Sequence, residues 1–223
     1  MTQSETVRVV RYQFGEKHGY DLVITDNQAT VQDYLNALNR AIEQSLFSCY
    51  RKNALPVCAG CGACCVDTVS LTRIDILNLR EHLRVNQETL QQFLERGGYI
   101  QPGWRWVDFT LRKGEDGLCV FQDRESRLCS IHPARPLVCR LYTGCPCTRR
   151  ADKVRNCIVR MAKHDLVSKW LTQDAEKGVT TAFHEGCQPR PKPNAFSGKK
   201  NYRQVLLKDL LPPELWRQIY VKG

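Results

Sequence analysis

The chain has 223 residues, of which 42% are hydrophobic and 25% are charged, so it is long enough to bury one ordinary core. Residues 1–30 contain no apolar run behind a basic start, and nowhere do about 18 apolar residues follow one another. These features argue against a secreted or membrane-bound protein and predict a cytoplasmic one. The net charge of +10 comes mostly from residues 146–223.

Residues 1–54 are predicted to form a small scaffold of one β-hairpin and one helix. Two segments rich in β-branched and aromatic residues, 7–14 and 20–25, alternate in polarity on either side of a turn. The sequence Thr30-x-x-Asp33 is typical of a helix start, and apolar residues continue at helical spacing to about residue 50.

Residues 55–188 are predicted to form an irregular domain of short helices and hairpins. Thr72 and Asp75 are placed to cap a helix that ends near residue 82. Asn86 is placed to cap a second helix, which Gly97 and Gly98 end.

The rest of this domain alternates between strand and helix signals. Residues 104–111 predict a strand, residues 118–131 a further hairpin, and residues 152–171 a helix. Residues 189–223 begin with a proline-rich linker and continue as a tail apolar enough to pack on the body or on a partner. The sequence therefore predicts an α+β protein.

Cysteine is the most informative residue type, since the chain contains 12 and four of them fall within positions 58–65. A C-x2-C turn lets two sulfurs converge on one ion, so thiols this dense are simply explained as metal ligands. A disulfide framework is the alternative, but the clustering and the absence of an export signal argue against it.

A longer pattern surrounds this cluster and resembles the CxxCxxCC family, which is described as zinc- or iron-chelating. The pattern comprises Cys58-x2-Cys61-x2-Cys64-Cys65, then Val69-Ser-Leu-Thr72, then Cys119-x-Phe121, and finally Cys129-Ser-Ile-His132-Pro-x-Arg135-Pro136-x-x-Cys139-Arg140. The resemblance covers roughly residues 55–145. Similar proteins are small, bacterial or archaeal, without a general assigned role and often labelled iron-sulfur proteins, and the domain also occurs in flagellin lysine methylases.

The resemblance implies a set of shared thiols that act as metal ligands. They are Cys58, Cys61, Cys64, Cys65, Cys119, Cys129 and Cys139. A single metal site with four ligands would use only four of these seven thiols. With one further thiol the chain could form two four-ligand sites, for example a [4Fe–4S] cluster and a zinc ion. Cys145 and Cys147 are added to the predicted ligands because a C-x-C pair close behind Cys139 can converge on the same ion.

Several residues keep two interpretations. His132 is either a metal ligand or a hydrogen-bonded turn residue, and Cys157 and Cys187 are either ligands or reduced thiols. Arg135 and Arg140 are predicted to donate hydrogen bonds to thiolates or to the backbone, the contacts that orient ligands.

The leading functional hypothesis is a metal-binding protein that holds an iron-sulfur cluster, zinc, or both, in a structural or electron-transfer role. One alternative is a metal-dependent transferase that modifies protein side chains, as the resemblance to flagellin lysine methylases suggests. The other is a zinc-type nucleic-acid-binding module, favoured by the basic C-terminal third.

The sequence does not decide whether the chain is an enzyme, because neither a phosphate loop nor a nucleophile elbow occurs. An enzyme of this kind would be an iron-sulfur oxidoreductase or a methyltransferase-like protein. The implied partners are metal ions, with a protein or a nucleic acid as further candidates and no membrane.

Overall fold

The N-terminal hairpin pairs β1 (Val7–Phe14) with β2 (Lys17–Ile24) in antiparallel register. The computed structural model describes residues 5–47, 62, 65–102, 107–142, 146–179, 185 and 192–222. The hairpin turn has only two residues, because Phe14 already pairs with Lys17, and the predicted turn at 15–19 was too long. Gly15 adopts φ +58° there, which a residue without a Cβ adopts at little cost.

The first two helices begin where the sequence predicts. Helix α1 (Val31–Glu43) starts at Thr30 and α2 (Arg73–His82) starts at Thr72, each with a capping box in which the threonine and an aspartate three residues later hydrogen-bond each other's backbone. Helix α1 ends earlier than predicted, since Ser45 adopts φ +52° two residues beyond it. The predicted continuation at residues 48–50 lies outside the described residues.

The next region differs from the prediction in two places. Helix α3 (Leu90–Gly97) is capped by Thr89 and not by Asn86, because Thr89 forms the capping box with Gln92. Strand β3 (Gly98–Pro102) follows directly and pairs antiparallel with β4 (Val107–Leu111). Sequence reasoning missed β3 because glycine and proline, which are rare inside strands, stand at its two ends.

The hairpin predicted at residues 118–131 forms only in part: the N–H of Asp123 donates to the carbonyl of Leu128 and the N–H of Ser130 to that of Phe121, but no regular strand extends from them. Only two isolated bridges, Lys113 with Cys119 and Gln122 with Cys129, occur in this segment. Asp123 Oδ1 accepts hydrogen bonds from the backbone and hydroxyl of Ser126, and Arg127 adopts φ +62°, so the chain reverses between the two predicted strands.

The C-terminal half is mainly helical. A 3₁₀ turn at His132–Ala134 leads into α4 (Leu137–Leu141), and α5 (Arg149–Glu176) runs for 28 residues, several beyond each predicted end. Two further 3₁₀ turns at Tyr202–Gln204 and Leu207–Asp209 precede α6 (Pro213–Ile219). These elements confirm the α+β class.

Two hydrophobic clusters form the core, and α5 contributes to both. The first contains the hairpin, α1, the N-terminal half of α5 with Ile158, and the C-terminal tail with Leu207. The second contains the inner faces of α2, α3 and β4, the cysteine segments, and Leu166 from the C-terminal half of α5. The tail therefore packs on the body. Within the described part of the chain, no helix combines the length and apolar character needed to cross a bilayer.

Candidate metal centre

Four cysteines from separate stretches of chain line one small cavity beside the second hydrophobic cluster. Its volume is about 20 Å³, room for a single water-sized occupant. The thiol-bearing residues are Cys65, Cys119, Cys129 and Cys139. Gly62 of the cysteine loop, His132 and Arg135 also border the cavity. Four of the nine predicted thiol ligands are therefore brought together.

Backbone hydrogen bonds bring the first three of these cysteines together. The N–H of Cys65 donates to the carbonyl of Gly62 at 3.1 Å, and the N–H of Cys119 donates to the carbonyl of Cys65 at 2.9 Å. The Cys119 carbonyl then accepts from the N–H of Gln122, which bridges to Cys129. The three positions are thus linked by main-chain contacts rather than by a regular sheet.

The fourth thiol, Cys139, is positioned by a buried carboxylate on another helix. Cys139 lies on α4, and the N–H of Leu137 in the first turn of α4 donates to Asp75 Oδ1 at 2.8 Å. The same oxygen accepts from the hydroxyl of Tyr202 at 2.6 Å, while Oδ2 accepts from the N–H of Thr72. Burial raises the pKa of Asp75, and these hydrogen bonds oppose the shift.

Arg127 and Arg135 place positive charge on the wall of the cavity. Arg135 is only 9% exposed, its Nη2 donates to Asn39 Oδ1 at 3.0 Å, and its Nη1 contacts His132 Nε2. Burial lowers the pKa of Arg140, and the nearby charge of Arg135 lowers it further. A buried guanidinium beside several thiols favours their anionic form, which is the form that binds metal.

The thiols, with a histidine and basic neighbours, fit the donor set that zinc and iron accept. Among the described residues alone, however, no three His, Cys, Asp or Glu side chains are placed closely enough to hold an ion. The predicted ligands Cys58, Cys61 and Cys64 lie outside the described residues. The described thiols therefore supply part of a cavity wall and not a complete coordination set.

Cys147 lies in a different environment from the four cavity thiols. Its backbone bridges to Tyr20 on β2, and it packs against the first hydrophobic cluster. Burial raises the pKa of its thiol, and Arg155 opposes that shift. Cys157 on α5 also packs against this cluster, and Cys145 and Cys187 fall outside the described residues. No disulfide joins any two of the six described cysteines.

Sequence reasoning missed three polar residues that support the site. Asp75 was predicted only as a helix cap, Asn39 is an ordinary polar residue on α1, and Gln122 carried no motif. Gln122 is buried beside Gly62, and its Oε1 has no hydrogen-bond partner within the described part of the chain. Only the Thr72-x-x-Asp75 box gave a signal, because the other contacts join residues far apart in sequence.

The cysteine pattern lies within a region that matches a known protein family. Residues 57–169 match the model of the CxxCxxCC family, described as "Putative zinc- or iron-chelating domain". The chain belongs to this family. The match begins just before Cys58 and extends into α5 past Cys157, beyond the region that the sequence pattern covered. It confirms the resemblance and identifies a zinc- or iron-chelating domain.

One curated relative is similar over part of its length. A stretch of 97 residues is 30% identical to the uncharacterized protein MJ0661 of Methanocaldococcus jannaschii, covering 43% of this chain and 48% of the relative. The chain thus spans about half the length of the curated relative that it matches. No solved structure matches the chain.

Proposed function

We propose that this protein binds a metal, with the thiolates of Cys65, Cys119, Cys129 and Cys139 as ligands. Thiols of the loop at residues 58–64 complete the ligand set. The observation that carries this proposal is that four thiols, spread over 75 residues of sequence, line one cavity. Thiols scattered by chance across a chain of this length rarely share one small space.

The proposed role of the metal is structural. The segment from residue 112 to 131 contains turns and isolated bridges, and its described backbone hydrogen bonds form neither a helix nor a regular sheet. In a protein segment without a sheet or helix of its own, the free energy of metal binding contributes directly to folding. The metal would therefore hold together the cysteine loop, the turns and α4.

An iron-sulfur cluster is one candidate occupant. Seven thiols belong to the family pattern, and since a [4Fe–4S] cluster and a structural zinc ion take four ligands each, the thiols exceed what one structural zinc needs and leave ligands for a cluster. Val69, Leu111 and Ile131 give the cavity an apolar wall, and low solvent access is one factor that sets the potential of a cluster in electron transfer. An electron-transfer role is part of this proposal.

A zinc ion is the second candidate. Four thiols line the cavity, and four is the number of ligands that a closed structural zinc site takes. Zinc would serve the same structural role, without redox chemistry.

Elemental analysis of the full chain, purified without oxygen, tests the proposal. Brown protein with iron and acid-labile sulfide supports the cluster, and colourless protein with stoichiometric zinc supports the ion. Cys119→Ser should lose most of the bound metal, whereas Cys157→Ser should keep it, because Cys157 packs in the other hydrophobic cluster. Wild-type protein without either metal, or equal metal content in both variants, would contradict the proposal.

A further inference from the structure

We propose that Arg135 is a positioning residue for the thiol centre, and that it couples this centre to α1 through Asn39. The guanidinium would balance the negative charge of metal-bound thiolates, while its hydrogen bond to Asn39 holds it in place. This inference rests on the proposed function, in which the cavity thiols bind metal.

The placement of Arg135 differs from that of three cations that are only half-buried. Arg73, Arg150 and Lys163 form ion pairs with Asp165, Asp21 and Asp108. Arg135 is 9% exposed and lines the thiol cavity, where it donates to the neutral oxygen of Asn39 and contacts the ring of His132. Its buried Nε has no hydrogen-bond partner within the described residues.

A guanidinium in this position is costly unless an anion shares its space. Removing a cation from water without a counter-charge is strongly unfavourable, and an unmet buried N–H adds to the cost. The groups in the cavity that can become anionic are its thiols. Four thiolates around a divalent ion leave about two negative charges, which a nearby guanidinium can offset.

The contact with Asn39 connects the centre to the scaffold formed by β1, β2 and α1. Asn39 lies on α1, 96 positions before Arg135, and it accepts from the Nη2 of Arg135. An amide oxygen orients the guanidinium without neutralising it. The positive charge therefore remains available to the thiol cavity.

A purely structural role for Arg135 predicts a different result from the proposed one. If the side chain only bridges α1 to the loop before α4, its removal lowers the stability of metal-free protein. If it balances thiolates, metal-free protein is as stable or more stable without it, and metal affinity falls.

Zinc binding to the full chain separates these outcomes. Affinity is measured anaerobically by competition with a chelator of known strength, and the thermal unfolding of metal-free protein is measured alongside. Arg135→Met should weaken zinc binding by about 10- to 100-fold, the usual effect of losing a group that supports metal ligands. Metal-free Arg135→Met should unfold at the wild-type temperature or above it.

Asn39→Asp tests the same idea without removing the arginine. A carboxylate at this position neutralises the guanidinium from its outer side, so metal-free protein should gain stability and zinc should bind more weakly. Arg96→Met is the control for loss of one positive charge, since Arg96 is exposed on α3 and pairs with Glu88. Its zinc affinity should stay within about twofold of wild type.

Two results would overturn the inference. Unchanged zinc affinity in both Arg135→Met and Asn39→Asp, with normal binding by wild type, would exclude Arg135 from the centre while leaving the proposed function intact. Wild-type protein that binds no zinc and carries no iron would remove the proposed function and this inference together.

Discussion

The carboxylate of Asp75 on α2 accepts a hydrogen bond from the backbone N–H of Leu137 on α4, across 62 positions of sequence. Asp75 is 1% exposed and also caps its own helix through Thr72. Because Cys139 lies two residues after Leu137, the start of α2 fixes the position of a cavity thiol.

Asp75→Asn should lower the free energy of unfolding by about 1–3 kcal/mol, the cost of leaving a buried hydrogen-bonding group unmatched. An asparagine offers one oxygen acceptor, whereas Asp75 accepts from Thr72, Leu137 and Tyr202 with two oxygens. Denaturant titration measures the change. Asp33→Asn is the matched control, since Asp33 holds the same capping-box position in α1 and caps only that helix. Equal losses in the two variants would mean that the contact with α4 contributes nothing.

Gly19→Ala should lower the free energy of unfolding by about 1–3 kcal/mol, as overpacking does at other buried sites. A Cβ at Gly19 would lie 2.4 Å from the carbonyl oxygen of Pro146 and 2.6 Å from the ring of Phe14. That carbonyl accepts from the N–H of Tyr20, so it cannot move without loss of the contact between the hairpin and the segment before α5. Thermal unfolding provides the measurement. Gly15→Asn, at an open turn position that asparagine tolerates, should change stability little, and a Gly19→Ala protein as stable as this control would contradict the expectation.

Asp21 should make stability depend on acid pH. Burial by itself raises the pKa of this carboxyl, but hydrogen bonds from Arg150, Thr148 and the N–H of Leu22 outweigh it and hold the pKa below its usual value. A carboxyl with a lowered folded-state pKa adds stability above its unfolded-state pKa of about 3.9, and this stability is lost as the pH falls through the folded-state pKa.

Asp21→Asn and Arg150→Gln should therefore both flatten the loss of stability below about pH 4. Arg150 Nε lies 2.8 Å from Oδ2 and 2.9 Å from Oδ1 of Asp21, so either change removes the ion pair. Thermal unfolding across the acid range tests this, and a wild-type slope in both variants would refute it.

Metal removal should loosen the protein locally. Amides of Cys119, Gln122 and Ser130 donate to carbonyls within the turns around the cavity, and these hydrogen bonds should exchange faster after chelation. Amides of β2 and α1 belong to the other hydrophobic cluster and should keep their protection. Hydrogen exchange on metal-loaded and metal-free protein gives the comparison. A uniform change over the chain, or none, would argue against a structural role of the metal in this segment.

Local signals in the sequence predicted the local structure well. The starts of α1 and α2 follow from capping boxes in which both partners lie within four residues, so Thr30 and Thr72 could be assigned from the sequence. The same rule applied to Asn86 gave the wrong cap, because Thr89 with Gln92 forms the complete box. The hairpin at 118–131 is reduced to one bridge, Gln122 with Cys129, and the two hydrogen bonds beside it, although the turn at Asp123 lies where the prediction needs it.

The candidate site was predictable only as a set of residue types. The family pattern selected Cys65, Cys119, Cys129 and Cys139, and the structure gathers these four. Cys147 shows the limit of spacing arguments, because its proximity to Cys139 in sequence does not place it at the same cavity. The contacts of Asn39 and Asp75 with this region cross 96 and 62 positions, and nothing in the local pattern of either residue reveals them.

X-ray absorption at the zinc or iron edge of the purified full chain tests most directly whether cavity sulfurs hold the metal. We expect the ligand atoms around the metal to be mainly sulfur at about 2.3 Å, with fewer sulfurs in the double variant Cys119→Ser and Cys139→Ser. A shell of nitrogen and oxygen alone, or a sulfur shell unchanged in the double variant, would contradict this expectation.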